Sequence, residues 1–168
     1  MGSTTSGFRV PSNRVTAPVD GPEYFQIGSN ATIAKMKPGV GVELDGAGKV
    51  KEFDGTGQCI GILGYEDVQP GDYKPATRDT AFGAIGNRVP VIVAVGVRVR
   101  ARLAASQTVG KGMLLQMGSD GLLSLAATSV SATGEAQTIT YPVIYAKADE
   151  AVTTDSDGAG TPIWVITK

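Results

Sequence analysis

Apolar and polar positions alternate most regularly from Arg88 to Leu103, which reads Arg-Val-Pro-Val-Ile-Val-Ala-Val-Gly-Val-Arg-Val-Arg-Ala-Arg-Leu. The first half is an almost unbroken β-branched run, the pattern of a strand covered on both faces. The second half alternates Val97, Val99, Ala101 and Leu103 with Arg98, Arg100 and Arg102. One long strand is predicted, beginning in a core and ending at a surface. Side chains alternate along a strand, so the three arginines form a basic ladder on the face opposite the aliphatic set.

Shorter extended runs punctuated by turn residues fill the rest of the chain from Phe25 onward. Lys37-Pro38-Gly39 turns into Val40-Gly41-Val42-Glu43-Leu44, and Asp45-Gly46-Ala47-Gly48 makes a hairpin loop before Lys49-Val50-Lys51-Glu52-Phe53. Gln58 to Tyr65 is the next strand, followed by a turn at Gln69-Pro70-Gly71-Asp72. Residues 72–88 lack periodicity and read as an inserted loop or one short helix. Val109 to Leu125 repeats the hairpin pattern, Thr128 to Gln137 is a small-residue loop, and strands at Thr138–Ala148 and Pro162–Thr167 end the chain.

The halves resemble one another. Gly39 to Leu44 with Gly48-Lys49-Val50 matches Gly110 to Leu115 with Gly121-Leu122-Leu123. Ile60 to Asp67 matches Val143 to Glu150, and Pro90 to Val95 matches Pro162 to Thr167. The expected fold is therefore all-β, a small barrel or sandwich of short strands built from two similar halves, which leaves few strand edges exposed. It spans residues 26–168. Residues 1–25 carry three prolines, several small polar residues and no periodicity, and form an extended N-terminal arm. Phe8, Arg9, Val10, Arg14, Val15, Tyr24 and Phe25 are its candidate anchors on a partner; the alternative is a plain flexible leader.

Composition narrows the chemistry. The 168 residues include no histidine and one cysteine, which removes Ser-His-Asp and Cys-His triads, histidine-ligated zinc and any intramolecular disulfide. Cys59, inside Gln-Cys-Ile-Gly-Ile-Leu, reads as a small buried thiol rather than a nucleophile. The aspartates fall mostly in turns, where they bond their own backbone, and Asp155-Ser156-Asp157-Gly158 lacks the ligand run and glutamate of a calcium loop. No glycine-rich segment precedes an amphipathic helix that could hold phosphate. An enzyme, a metal site and a cofactor are thus not expected. A net charge of −1 with 18% charged residues offers no field toward nucleic acid or an acidic membrane, and the first residues lack a secretory pattern, so a protein made in a reducing cytoplasm is expected. Arg98, Arg100 and Arg102 then read either as a solvated face or as a surface whose guanidinium forks meet an acidic partner. Trp164, in Pro-Ile-Trp-Val-Ile, reads as core or subunit interface.

A polar arm, the Pro-Gly-x-x-Val-x-Leu-Asp-x-x-Gly-Lys-Val-type hairpin at Pro38 to Val50, and the Ile-Gly-Ile-Leu strand followed by acidic residues and Pro-Gly-Asp form one set of motifs. With the Val-rich strand and the C-terminal Ile-Trp-Val-Ile, the arrangement resembles the small head decoration, or cement, proteins of tailed bacteriophages. The resemblance covers about residues 37–168 and rests on turn chemistry. It implies a β-barrel-like virion protein, made in the host cytoplasm, that sits on the capsid exterior. It would clamp neighbouring major capsid subunits, with a trimer as the favoured homo-oligomer and without nucleic acid or membrane. Another virion component of the tail or head-tail junction is the first alternative, and a carbohydrate- or cell-surface-binding β-domain the second.

Overall fold

A computed structural model describes residues 22–64, 66–69, 72–75, 80–133 and 136–168. The described residues hold strands, turns and one 3-10 turn at Ile33–Lys35, with no α-helix. The first half contains β1 (Glu23–Gln26), β2 (Gly41–Leu44), β3 (Val50–Glu52), β4 (Cys59–Leu63), β5 (Glu66–Gln69), β6 (Asp72–Pro75) and β7 (Arg88–Ile92). The second contains β8 (Arg98–Leu103), β9 (Thr108–Val109), β10 (Leu114–Met117), β11 (Leu123–Leu125), β12 (Ser129–Thr133), β13 (Ala136–Thr140), β14 (Ile144–Ala148), β15 (Val152–Thr153) and β16 (Thr161–Thr167).

The two halves share one architecture. The first sheet has the order β1-β7-β4-β2-β3, and the second is a closed five-stranded barrel, β10-β11-β8-β16-β14. Read around from β8, the second order is β8-β16-β14-β10-β11, which matches the first strand for strand. Closure matches as well. A parallel bridge joins Ile27 to Val50 between the outer strands of the first sheet, and Leu103 pairs parallel with Leu123 in the second. The same bond follows each, Gly28 N–H to the Val50 carbonyl and Ala104 N–H to the Leu123 carbonyl, both at 2.8 Å. The first sheet is thus a second barrel in shape, curled until its ends touch.

Register fixes the equivalent residues. The β2/β3 pairs Val42↔Glu52 and Leu44↔Val50 correspond to Leu115↔Leu125 and Met117↔Leu123, and each barrel carries a bulge at the same place, after Val42 and after Leu115. Glycines with left-handed backbone coincide: Gly39 (φ 87°) with Gly112 (φ 90°), Gly48 (71°) with Gly121 (72°), and Gly86 (87°) with Gly160 (85°). The repeat seen in the sequence is real, and Gly48-Lys49-Val50 does match Gly121-Leu122-Leu123, but for Gly39–Leu44, Ile60–Asp67 and Pro90–Val95 the true equivalence lies two positions from the sequence match. Gly39 corresponds to Gly112, not Gly110. A slip of two preserves which side chains face inward, so hydrophobic alternation alone does not reveal it.

Each barrel has its own core. Ile27, Met36, Val42, Val50, Leu63 and Val91 fill the first, and Val99, Leu103, Leu115, Leu123, Ile163 and Val165 fill the second. The barrels meet along a seam of backbone hydrogen bonds and apolar contacts. Gly41 N–H donates to the Gly121 carbonyl (2.8 Å), Arg102 N–H donates to the Gly39 carbonyl (3.0 Å), and Leu122 packs against the first core. Gly41 lets the Met117 thioether lie against its backbone: a Cβ there would sit 2.6 Å from the sulfur, and the side chain would have to move.

Three expectations are corrected here. Thr128 to Gln137, expected as a loop, holds β12 and the start of β13, paired antiparallel. Arg88 to Leu103 is two strands in two sheets, because the chain bends at Val95-Gly96, where Gly96 takes φ 79°. Thr167 secures the crossover, its hydroxyl donating to the Ala94 carbonyl at 2.7 Å. The expected arm boundary at residue 25 falls inside β1, whose residues Glu23–Gln26 pair antiparallel with Val91–Arg88. The region left open at 72–88 opens with β6, paired to β5 in a hairpin, and returns through a loop pinned by the Phe82 N–H to the Met36 carbonyl (2.7 Å).

Candidate functional site: the Arg98–Trp164 face

Strands β8 and β16 pair antiparallel over six residues of register, with Arg98 opposite Ile166, Arg100 opposite Trp164 and Arg102 opposite Pro162. Val99, Ala101 and Leu103 turn into the second core, as the alternation predicts. On the outer face the Arg98 guanidinium lies 4.4 Å from the Trp164 ring centroid and that of Arg100 lies 5.6 Å away, within the range of cation–π attraction. Arg98 Nε also donates to Asp149 Oδ2 at 2.6 Å, and Lys111 Nζ reaches Asp149 Oδ1 at 3.2 Å. The main-chain N–H of Trp164 donates to Glu150 Oε1 at 2.9 Å. Arg98 is therefore held from two sides, which reduces the ordering entropy of any contact it makes with a partner.

Arg102 departs from the expected ladder. It is 4% exposed, with Nε donating to the Pro38 carbonyl (2.6 Å) and a terminal nitrogen to the Gly160 carbonyl (2.9 Å). Those loops cover it from both sides, so it fastens the seam instead of meeting a partner. The structure thus brings together Arg98, Arg100 and Trp164 of the four expected interface residues. Of the arm candidates, Phe8, Arg9, Val10, Arg14 and Val15 lie outside the described residues. Phe25 packs against the first core and Tyr24 stands exposed opposite Pro90. That pair is the first barrel's counterpart of Arg100 opposite Trp164, so Tyr24 belongs to a different face.

No family model and no curated protein matches the chain.

Several residues of the face escaped sequence reading. Asp149 and Glu150 were visible only as an acidic pair ending a strand, and nothing in their spacing linked them to Arg98 or Trp164. A groove of about 260 Å³ runs between the barrels, lined by Ile60, Ile62, Val93, Met117 and Val143, with Cys59 in its wall. Burial pushes the Cys59 thiol up to about 11, so it stays protonated and unreactive at neutral pH, in line with its reading as a structural thiol. The hairpin β12–β13 carries an exposed cross-strand pair, Val130 opposite Ile139. Among the described residues no three potential metal ligands cluster, and no helix is long and apolar enough to cross a membrane.

The Asp149 carboxyl is held below the ordinary carboxylate range, first by the Arg98 hydrogen bond and then by that of Lys111. A lowered folded-state pKa contributes stability that is present above the unfolded value, near pH 4, and is lost as pH falls through the folded value. Asp149→Asn should therefore lower stability above about pH 4 and leave it nearly unchanged at the acid end, which flattens the acid limb. Urea midpoints from pH 6 down to pH 2.5, followed by fluorescence of the single tryptophan, measure this. An acid limb identical to that of the parent protein would show that the Arg98–Asp149 pair adds nothing in solution.

Proposed function

We propose that the chain is a capsid decoration protein that binds the outside of an assembled phage head and clamps neighbouring major capsid subunits. The observation that carries the reading is the pre-positioned Arg98–Arg100–Trp164 face on a closed barrel that has almost no free strand edge. Tryptophan and arginine are the residues most enriched at binding hot spots, and a guanidinium already oriented over a ring loses little freedom on meeting a carboxylate. The motif resemblance supplies the identity of the partner, and the arm preceding β1 supplies a second contact. A ligand that binds only the assembled shell stabilises it by mass action, and several linked contacts raise avidity well above any single one. A sugar-binding role has less support, because the Trp164 ring already carries Arg98.

Sedimentation with empty expanded shells tests the reading. The full chain should pellet with shells, and lack of co-sedimentation would overturn the proposal. A variant lacking residues 1–21, cut before β1 so that the first barrel stays whole, should bind more weakly. Trp164→Ala should weaken binding by about 10-fold or more, as loss of a hot-spot aromatic does.

A further inference from the structure

The seam between the barrels joins two different surfaces of one repeated unit. The first barrel contributes Pro38 to Gly41, and the second contributes Arg102, Met117, Gly121 and Leu122. Each barrel also possesses the counterpart of the surface that the other one uses. In the second barrel the counterpart of Pro38–Gly41 is Lys111 to Leu114. In the first barrel the counterparts of Met117, Gly121 and Leu122 are Leu44, Gly48 and Lys49, by the shared register.

Inside the chain these surfaces are covered; at its two ends they are not. Leu44 is 51% exposed, Met113 47% and Leu114 46%, which makes them three of the large apolar side chains left open to solvent. Their exposure lies where the repeat predicts unfilled joints, at opposite ends of the tandem pair. From this continuity we infer that a second copy of the chain docks head to tail, its Leu44 surface covering Met113 and Leu114 of the first copy.

The joint between copies differs from the internal one at several positions, and Gln26 stands where Arg102 does, so the guanidinium fastener of the internal seam is not repeated. Gly41 lets Met117 lie directly on backbone, whereas its counterpart Leu114 carries a side chain. Copies therefore stand farther apart, with Leu44 against Leu114 in place of a thioether crossing a glycine. Lys49 stands where Leu122 does, its aliphatic stem covering apolar surface while its ammonium stays at the rim. A contact between two different surfaces is heterologous and closes into a ring when its rotation permits. Three copies would then form a ring of six barrels. This supplies the trimer of the proposed function and rests on that reading only for the copy number.

Two variants and their mixture test the joint without shells, so failure here is separable from failure to bind capsids. The unmodified chain should sediment as a closed oligomer; a monomer at all concentrations overturns the inference. Leu44→Glu and Leu114→Glu should each weaken self-association by about 30-fold or more. Mixed in equal amounts, the two should form one-to-one dimers and nothing larger, because each keeps the surface that the other lost. No dimer in the mixture, or oligomers unaffected by either change, overturns head-to-tail docking. Leu44→Ser and Leu114→Ser, milder changes at half-exposed sites, repeat the measurement if a glutamate variant loses the folded circular dichroism spectrum.

Discussion

Gly121→Ala should destabilise the protein by about 3 kcal/mol, while Gly48→Ala at the equivalent turn should cost about 1 kcal/mol. The two glycines share a backbone conformation, φ 72° and 71°, so an alanine meets the same left-handed penalty at both. They differ in what surrounds them. A Cβ on Gly48 would find nothing within 4 Å, whereas one on Gly121 would lie 2.6 Å from a Val40 methyl and 2.9 Å from the Gly41 carbonyl oxygen. The second obstacle is backbone, which cannot rotate away, and the seam bond from Gly41 N–H to Gly121 would lengthen as the barrels part. Overpacking a closed contact costs typically about 1–3 kcal/mol beyond the conformational term. Chemical denaturation of the two variants side by side isolates the seam as the difference between them. Equal losses would mean that the barrels are held apart or together by something other than this contact.

The same pair of turns shows how far the sequence could be read. Asp45-Gly46-Ala47-Gly48 and Gly118-Ser119-Asp120-Gly121 announce hairpins by their turn chemistry, and the structure has both, as β2–β3 and β10–β11. The all-β class and the duplication followed from the same signals. Outside the Gly48/Gly121 turn, where the sequence match is in register, the sequence did not disclose the register between halves, because strands are invariant to a slip of two. Gly112 and Gly160 settle it only once their backbone angles are known. The break at Val95-Gly96 was hidden for a related reason: one glycine in a valine run keeps the alternation on either side, and only the pairing partners show that the strand changes sheets.

The candidate face was legible in part, and for a physical reason. Alternation placed Arg98 and Arg100 outward correctly, since facing is local to a strand. Depth is not local. Arg102 shares their face, yet it is buried by Pro38 and Gly160, which lie 64 and 58 residues away in sequence. Asp149 reaches Arg98 from 51 residues away. Which arginine meets solvent and which fastens the fold depends on loops whose course the strand pattern does not determine.

Arg102→Met should therefore act on folding, where Arg98→Ala and Arg100→Ala act on binding. The guanidinium donates to two backbone carbonyls, Pro38 on the first barrel and Gly160 on the second, while the main-chain N–H of residue 102 reaches the Gly39 carbonyl and is kept in every variant. Methionine fills much of the same space but donates nothing, leaving the Pro38 and Gly160 oxygens without the guanidinium. Hydrogen bonds from charged donors contribute about 1.5–3 kcal/mol each, and leaving buried acceptors unpaired adds to the loss, so a destabilisation of about 3–4 kcal/mol is expected. Arg102→Lys should recover only part of it. One ammonium on a flexible stem cannot match the planar fork that spans both oxygens. Arg98 is exposed and Arg100 half-buried beside Trp164, and among the described residues neither is bonded across the seam, so Arg98→Ala and Arg100→Ala should each cost less than Arg102→Met. Urea unfolding of the four variants decides the assignment. If Arg102→Met unfolds with the same midpoint as the parent chain, the seam does not depend on this side chain, and the three arginines return to being one surface.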